Sequence, residues 1–291
     1  MTVPARPTPL FADIADVSRR LAETGYPPST STARGVFLPA RIGKPLLVEG
    51  PAGVGKTELA RAVAQATGSG LVRLQCYEGV DEARALYEWN HAKQILRIQA
   101  GSGDWEATKT DVFSEEFLLQ RPLLTAIRRT EPTVLLIDET DKADIEIEGL
   151  LLEVLSDFAV TVPELGTLTA TRAPFVLLTS NATRELSEAL KRRCLYLHID
   201  FPTPELERRI LLSRVPELPE HFAEELVRII GVLRGMQLKK VPSIAETIDW
   251  GRTVLALGLD TIDDAVVAAT LGVVLKHQSD QQRATGELRL N

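Results

Sequence analysis

Nine residues, GPAGVGKTE at 50–58, set glycines ahead of a lysine and a threonine. Gly50, Gly55, Lys56 and Thr57 fill the pattern G-x-x-x-x-G-K-[ST]. Glycine lets a backbone curl until successive N–H groups face one anion, so Gly50, Pro51, Ala52, Gly53, Val54 and Gly55 read as a phosphate cradle. A helix starting at Lys56 adds the positive end of its dipole. In this reading Lys56 reaches the β- and γ-phosphates of a nucleotide, the Thr57 hydroxyl ligates Mg²⁺, and Glu58 closes the binding segment.

A second stretch, TVLLIDETDKAD at 133–144, runs four apolar residues into Asp138 and Glu139. Carboxyl ends of strands are where α/β sheets bind ligands. Asp138 there is placed to hold Mg²⁺, and Glu139 to orient and deprotonate an attacking water. The plainer reading is an acidic pair that caps the next helix; the phosphate cradle upstream decides for chemistry. A glutamate beside the metal aspartate also favours hydrolysis over transfer to a small molecule. In FVLLTSN, 175–181, Asn181 ends another apolar run and could polarise the same water or phosphate, against the plainer reading of a turn residue. In LSEALKRRC, 186–194, Lys191, Arg192 and Arg193 stand together in an otherwise acidic chain. A solvated helix end explains Lys191.

These residues need strands to carry them. Five short apolar runs qualify, at 45–49, 71–75, 133–138, 175–180 and 195–199. Their near-continuous hydrophobicity suits strands buried on both faces of a parallel sheet. Helical patterns lie between them at 56–67, 114–129 and 145–157, which predicts a layered α/β domain. A short amphipathic helix over 9–24 and a turn-rich break, GYPPSTSTARG at 25–35, precede it. Residues 80–100 read as a helical insertion, and 159–173, alternating threonine with apolar residues about Pro163 and Gly166, as a β-hairpin. Beyond DFPTP, 200–204, only helical patterns remain, near 204–213, 219–234, 243–257 and 261–278. The expected division is an N-terminal helix and linker over 1–34, an α/β nucleotide-binding domain over 35–202, and a helical lid over 203–291.

Composition limits the function further. A chain of 291 residues with 44% hydrophobic and 25% charged residues can build a large core plus a smaller domain. Its net charge of −7 argues against a general nucleic-acid binder. Cys76 and Cys194 make no disulfide framework, and His91, His198, His221 and His277 show no ligand spacing. The first 21 residues lack a signal-peptide core, and no run of about 18 apolar residues occurs, so the sequence reads as soluble and cytoplasmic.

The order of these parts resembles the AAA+ ATPases over roughly residues 35–290. More narrowly, LLVEGPAGVGKTELARAVA, LQCYEGVDEARALYEWN, VLLIDETDKAD, LTSNATRELSEALKRRC and PSIAETIDWGR resemble the MoxR group, and within it the CoxD-like ATPases of carbon monoxide dehydrogenase maturation. The resemblance implies a five-stranded sheet with a helical lid, ATP with Mg²⁺ as cofactors, and homo-oligomeric rings, commonly hexamers. It implies a partner carrying a von Willebrand factor A domain, and a client metalloenzyme that is matured or loaded with its metal cofactor. It gives 80–100 and 159–173 the roles of helix-2 insertion and pre-sensor-1 hairpin.

In the family an arginine just before the fifth strand reaches into the neighbour's ATP site. Arg193 aligns best with it and Arg192 is its substitute. A guanidinium suits that work because it is planar, permanently charged and rich in donors. One departure stands out: where a lid arginine is expected beside the γ-phosphate, this chain has Ala245 and Glu246, leaving Lys239, Lys240 or Arg252 to compensate. The resemblance also makes Tyr77 and Gly79 a candidate aromatic pore loop, with Tyr87 and Trp89 as substitutes and Glu164 and Leu165 at the hairpin tip. Packing is the plainer reading for those aromatics, and Trp250 reads as core.

Catalytic work is thus expected of Lys56, Glu139, Asn181, Arg192 and Arg193, in an ATP-hydrolysing, chaperone-like remodeller. Three alternatives stay open: a nucleotide-gated binding scaffold with little turnover, an ATPase of nucleic-acid processing, and a small-molecule kinase.

Overall fold

The structure, a computed structural model, describes residues 10–100, 111–259 and 261–288. Residues 1–9, which hold the start of the expected N-terminal helix and part of the segment read as lacking a signal peptide, lie outside the described residues, as do 289–291 of the lid.

Five strands form one parallel sheet in the order β2–β5–β8–β1–β9. They are β1 (Leu46–Glu49), β2 (Gly70–Gln75), β5 (Thr133–Asp138), β8 (Phe175–Ser180) and β9 (Leu195–His198). All five coincide with the apolar runs of the sequence. Every residue of β5 and β8 is buried, as expected for central strands covered on both faces. Successive side chains of β5 serve opposite faces. Val134 and Leu136 join Val17, Leu21, Val36, Leu59 and Leu177 on one face. Leu135 and Ile137 join Leu74, Leu123, Leu151 and Leu178 on the other. Burying each such side chain is worth about 1.5–3 kcal/mol, which fixes the register and so the line of strand ends.

Helices α1 (Ile14–Glu23), α2 (Thr30–Ile42) and α3 (Lys56–Thr67) supply the first of these faces. Helix α2 corrects the expected break at 25–35. The Ser29 hydroxyl accepts the Thr32 N–H at 3.1 Å, a helix N-cap, and the helix runs on through Pro39. The turn residues Ser29 and Thr30 therefore begin a helix.

The insertion also differs from expectation. It holds α4 (Glu82–Ala85), a short strand β3 (Tyr87–Trp89) and α5 (His91–Ala100). β3 pairs antiparallel with β4 (Leu118–Gln120), with Trp89 opposite Leu118. The helix expected over 114–129 is accordingly a 3₁₀ turn at Glu115–Phe117, then β4, then α6 (Pro122–Arg128). Proline has no N–H to give and sits readily at the first turn, so α6 starts at Pro122. Helix α7 (Ile145–Asp157) follows β5. The expected hairpin is present as β6 (Ala159–Val162) and β7 (Gly166–Thr169), and α8 (Glu188–Arg193) leads into β9.

The C-terminal part is helical: α9 (Pro204–Arg214), α10 (Glu220–Gly235), α11 (Ile244–Ala256), α12 (Asp264–Val274) and α13 (Gln278–Glu287). The last expected helix, 261–278, is present as α12 over Asp264–Val274, and α13 is a further helix beyond it that the expected patterns do not include. Trp250 is fully buried among Leu211, Leu226, Ile230 and Val254, and its indole N–H donates to the Thr270 hydroxyl at 2.8 Å.

Candidate active site

A cleft of about 920 Å³ opens at the carboxyl ends of the strands, roofed by α9 and α11. Gly50 leaves β1 so close to the neighbouring chain that a Cβ there would lie 1.9 Å from the Ile199 carbonyl oxygen. Gly53 has φ 78°, and a Cβ would lie 2.2 Å from the Ser243 Cβ of the lid. No larger residue fits either place.

Lys56 is buried inside the curl. Its Nζ donates to the carbonyls of Gly50 (2.6 Å) and Pro51 (2.7 Å) and to Asn181 Oδ1 (2.8 Å). Burial pushes its amine below the ordinary lysine value, countered in part by Asp141, Asp138 and Glu139.

Asp138 is also buried. Its Oδ1 accepts the hydroxyls of Thr57 (2.9 Å) and Thr179 (2.6 Å). Its Oδ2 accepts Arg73 through Nε (3.0 Å) and Nη2 (2.5 Å). The neighbouring Glu139 is held at φ 56°, a left-handed conformation that costs a non-glycine residue of order 1 kcal/mol or more. Its N–H donates to Thr179 Oγ1 at 2.8 Å. Its carboxylate oxygen Oε2 accepts Gln75 Nε2 at 3.0 Å and Lys142 Nζ at 2.8 Å. That ion pair lifts the Lys142 amine above its ordinary value.

The cleft thus brings together Lys56, Thr57, Asp138, Glu139 and Asn181, with Ala52, Gly53, Val54, Gly55 and Glu58 lining the same space. Arg192 and Arg193 do not join them. They end α8 exposed to solvent, outside the cleft lining, and neither forms an ion pair among the described residues. Lys191 instead pairs with Glu185 at 2.9 Å and Glu188 at 3.4 Å.

On the lid side, the Ile244 N–H donates to the Gly53 carbonyl at 3.2 Å, and Arg214 Nη2 pairs with Glu58 Oε1 at 2.5 Å. Of the three candidate lid cations, Arg252 lines the cleft. Lys240 Nζ pairs with Glu246 at 3.0 Å, and the backbone N–H groups of Lys239 and Lys240 donate to Asp280. Glu246 closes a capping box with Ser243 at the start of α11, while Ala245 faces the cleft. Tyr77 is exposed beside Gly79, whose φ is 79°. Tyr87 and Trp89 are packing residues. Their rings meet edge to face at 6.5 Å, Trp89 meets Phe113 at 5.5 Å, and both lie on the core. At the hairpin tip Glu164 is exposed and Leu165 rests on the core.

Arg73, Gln75, Thr179 and Arg214 were not singled out from the sequence. For Arg73 and Gln75 there was a usable signal: two polar residues at alternate positions of one strand share a face. Thr179 lay hidden as one hydroxyl in an apolar run.

A family model, the AAA domain of the dynein-related subfamily, matches residues 45–194, slightly more than half of the chain. The chain belongs to that family. The chain is similar to the chaperone protein ClpB of Chlamydia pneumoniae, 23% identical over 252 residues, covering 79% of this chain and 27% of ClpB. It is 27% identical to ClpB 1 of Synechocystis over 244 residues, 79% of this chain and 24% of that one. ClpB 2 of Thermosynechococcus vestitus is 33% identical over 151 residues, 50% of this chain and 15% of that one. The chain therefore spans about a quarter or less of the length of these relatives. A solved structure of a RuvB mutant from Thermotoga maritima covers 99% of this chain and 75% of that one, with a TM-score of 0.48 and 17% identity. Family membership carries nucleotide binding, and ATP hydrolysis as the general kind of activity. No helix among the described residues is long and apolar enough to cross a membrane.

Proposed function

We propose that this AAA domain is a MoxR-type remodeller that hydrolyses ATP between protomers of a homo-oligomeric ring, a hexamer in the form favoured by the family. It acts on a client metalloenzyme, with a von Willebrand factor A domain protein as partner, in maturation or metal loading. The α/β part through residue 202 holds the nucleotide, and the helical part from 203 moves against it. The observation that supports hydrolysis is the meeting of Lys56, Thr57, Asp138, Glu139 and Asn181 in one cleft.

Mg²⁺ fits the donor set. The Thr57 hydroxyl and Asp138 carboxylate offer adjacent hard oxygens, and the Arg73 guanidinium already neutralises the far side of that carboxylate. When bound, Mg²⁺ with the nucleotide supplies neutralisation of phosphate charge. The backbone N–H groups of 50–55 bind phosphate, and Lys56 exchanges its carbonyl partners for phosphate oxygens. Glu139, once clear of Gln75 and Lys142, takes a proton from water as that water's oxygen bonds the γ-phosphorus and the bridging P–O bond breaks. The Asn181 amide, fixed through Lys56, orients that water. An arginine from the next protomer stabilises the charge on the phosphoryl oxygens, an effect worth about 10³–10⁵ in rate.

The test mixes two variants. Arg193→Ala keeps its own cradle and Glu139; Glu139→Gln binds ATP without turnover and still offers Arg193. Each is nearly inactive alone, and mixing under subunit exchange restores hydrolysis. A mixture that stays dead despite proven exchange rejects donation across an interface. Normal turnover by Arg193→Ala alone moves the assignment to Arg192.

A further inference from the structure

Between Asn181 at the cleft and the arginines at the end of α8 lie six residues, 182–187, and one short helix. Two buried carboxylates from the chain after β5 hold that stretch. Asp141 Oδ2 accepts both the Thr183 hydroxyl (2.5 Å) and the Thr183 N–H (3.1 Å). Glu148, on α7 and 1% exposed, reaches the other end. Its Oε2 accepts the Ser187 N–H at 2.8 Å. Its Oε1 lies 2.6 Å from Arg184 Nη2, an ion pair. Arg184 Nη2 also donates to the Ala143 carbonyl at 2.6 Å, tying the pair back to the Glu139 turn.

Ser187 is the hinge of the arrangement. Its hydroxyl caps α8 by accepting the Leu190 N–H at 3.4 Å, while its N–H is fixed by Glu148. Leu186 and Leu190 press the helix onto α7. A helix of six residues has few bonds of its own, so its direction is set at this cap. Burying the Glu148 carboxylate costs several kcal/mol before its partners repay it, and the partners that repay it, the Ser187 N–H and Arg184, stand at the root of α8. Burial raises the Glu148 carboxyl, and Ser187 and Arg184 more than reverse that, leaving it below the ordinary glutamate value and ionised.

We propose that Glu148 is a positioning residue for the arginines that act across the ring: it sets the cap of α8 so that Arg192 and Arg193 are presented to the neighbouring cleft. This rests on the reading that an arginine is donated between protomers. Glu148 touches no nucleotide; it lies outside the lining of its own cleft. Losing it therefore harms the neighbour's hydrolysis and spares the protomer's own nucleotide binding.

The experiment measures hydrolysis and fluorescent-nucleotide affinity for Glu148→Gln, which keeps the volume, and for Arg184→Met, on a side chain exposed enough to change without unfolding. Displacing a catalytic group by about 1 Å can cost 100-fold in rate. Glu148→Gln alone should lose about 10–100-fold in kcat, with KM and nucleotide affinity unchanged; Arg184→Met should lose less in the same direction. Mixing either with Glu139→Gln should restore turnover, since the latter donates correctly set arginines to intact clefts. Arg193→Ala with Glu139→Gln runs alongside. If that control is rescued and both new variants are not, Glu148 acts within its own cleft or fold, and the proposal is overturned. If the control also stays dead despite exchange, donation itself fails and the proposal falls with it. Full activity of Glu148→Gln and Arg184→Met alone overturns it as well.

Discussion

The Thr179 hydroxyl stands between the two acidic residues of the cleft, donating to Asp138 and accepting the Glu139 N–H. Thr179→Val keeps the shape and removes both bonds. The cost should be about 1–3 kcal/mol of stability, the penalty for stranding buried polar groups, read as a lower denaturation midpoint. Hydrolysis should fall by more than this stability loss explains, because Glu139 is then free to leave its strained conformation; an unchanged kcat would show that Thr179 only fills space. Arg73 argues the opposite direction. Its guanidinium sits on Oδ2 of Asp138, the oxygen turned away from Thr57, and so competes for the carboxylate charge that a divalent cation on Oδ1 would draw on. Arg73→Met removes a competitor, so in a Mg²⁺ titration of nucleotide binding the midpoint should move to lower Mg²⁺. A shift of roughly tenfold corresponds to about 1.4 kcal/mol. A shift to higher Mg²⁺ would mean that Arg73 instead pre-shapes the carboxylate.

At the scale of elements, the lid meets the phosphate loop where Gly53 lies beneath Ser243. Gly53→Ala puts a methyl into that contact at a φ alanine resists. The lid must lift, breaking the bond from the Ile244 N–H to the Gly53 carbonyl. Nucleotide affinity should drop at least about tenfold, or 1.4 kcal/mol, with the circular dichroism spectrum preserved; wild-type affinity would place the lid outside nucleotide binding. The elements legible in the sequence were those with one clear signal. β5 and β8 are continuous apolar runs, α3 begins at the glycine-to-lysine switch, and the hairpin carries its own turn. Elements defined by a distant partner were not legible. β3 and β4 exist only because three residues at 87–89 find three at 118–120, and their local patterns read as helix. Helix α2 was masked by Ser29, Gly35 and Pro39, each a turn signal alone. The same holds for the cleft. Lys56, Asp138 and Asn181 end recognisable motifs, whereas Arg73 and Gln75 become functional only because β2 pairs with β5, bringing Gln75 level with Asp138.

At the scale of the molecule, burial pushes the thiols of Cys76 and Cys194 up to about 12 from an ordinary 9.0. The folded chain then binds more protons than the unfolded chain between those values. Stability is fully present below pH 9 and falls as pH rises toward about 12. Urea midpoints at pH 8 and pH 10 should show the loss, and Cys76→Ala should flatten it; an unchanged slope would mean that other groups set the alkaline limit.

The site itself points beyond one chain. In the proposed mechanism the cleft supplies Lys56 for the phosphates, Glu139 as base and Asn181 to orient the water, while Arg192 and Arg193 lie exposed outside it. Arg252 and Arg214 line the cleft from the lid, but one pairs with Asp249 and the other with Glu58. If an arginine is donated between protomers as proposed, an isolated protomer binds ATP and hydrolyses it slowly. Turnover per protomer should rise steeply with protein concentration and level off as assembly completes, in step with the mass measured by sedimentation. Arg193→Ala should assemble and bind ATP at the same concentrations yet stay slow throughout. Because dilution removes the neighbour and the substitution removes only its arginine, equal residual rates in the two cases would assign the whole benefit of assembly to that one guanidinium. A dilute wild-type rate well below the assembled Arg193→Ala rate would mean that the neighbour contributes more, with Arg192 the first residue to test.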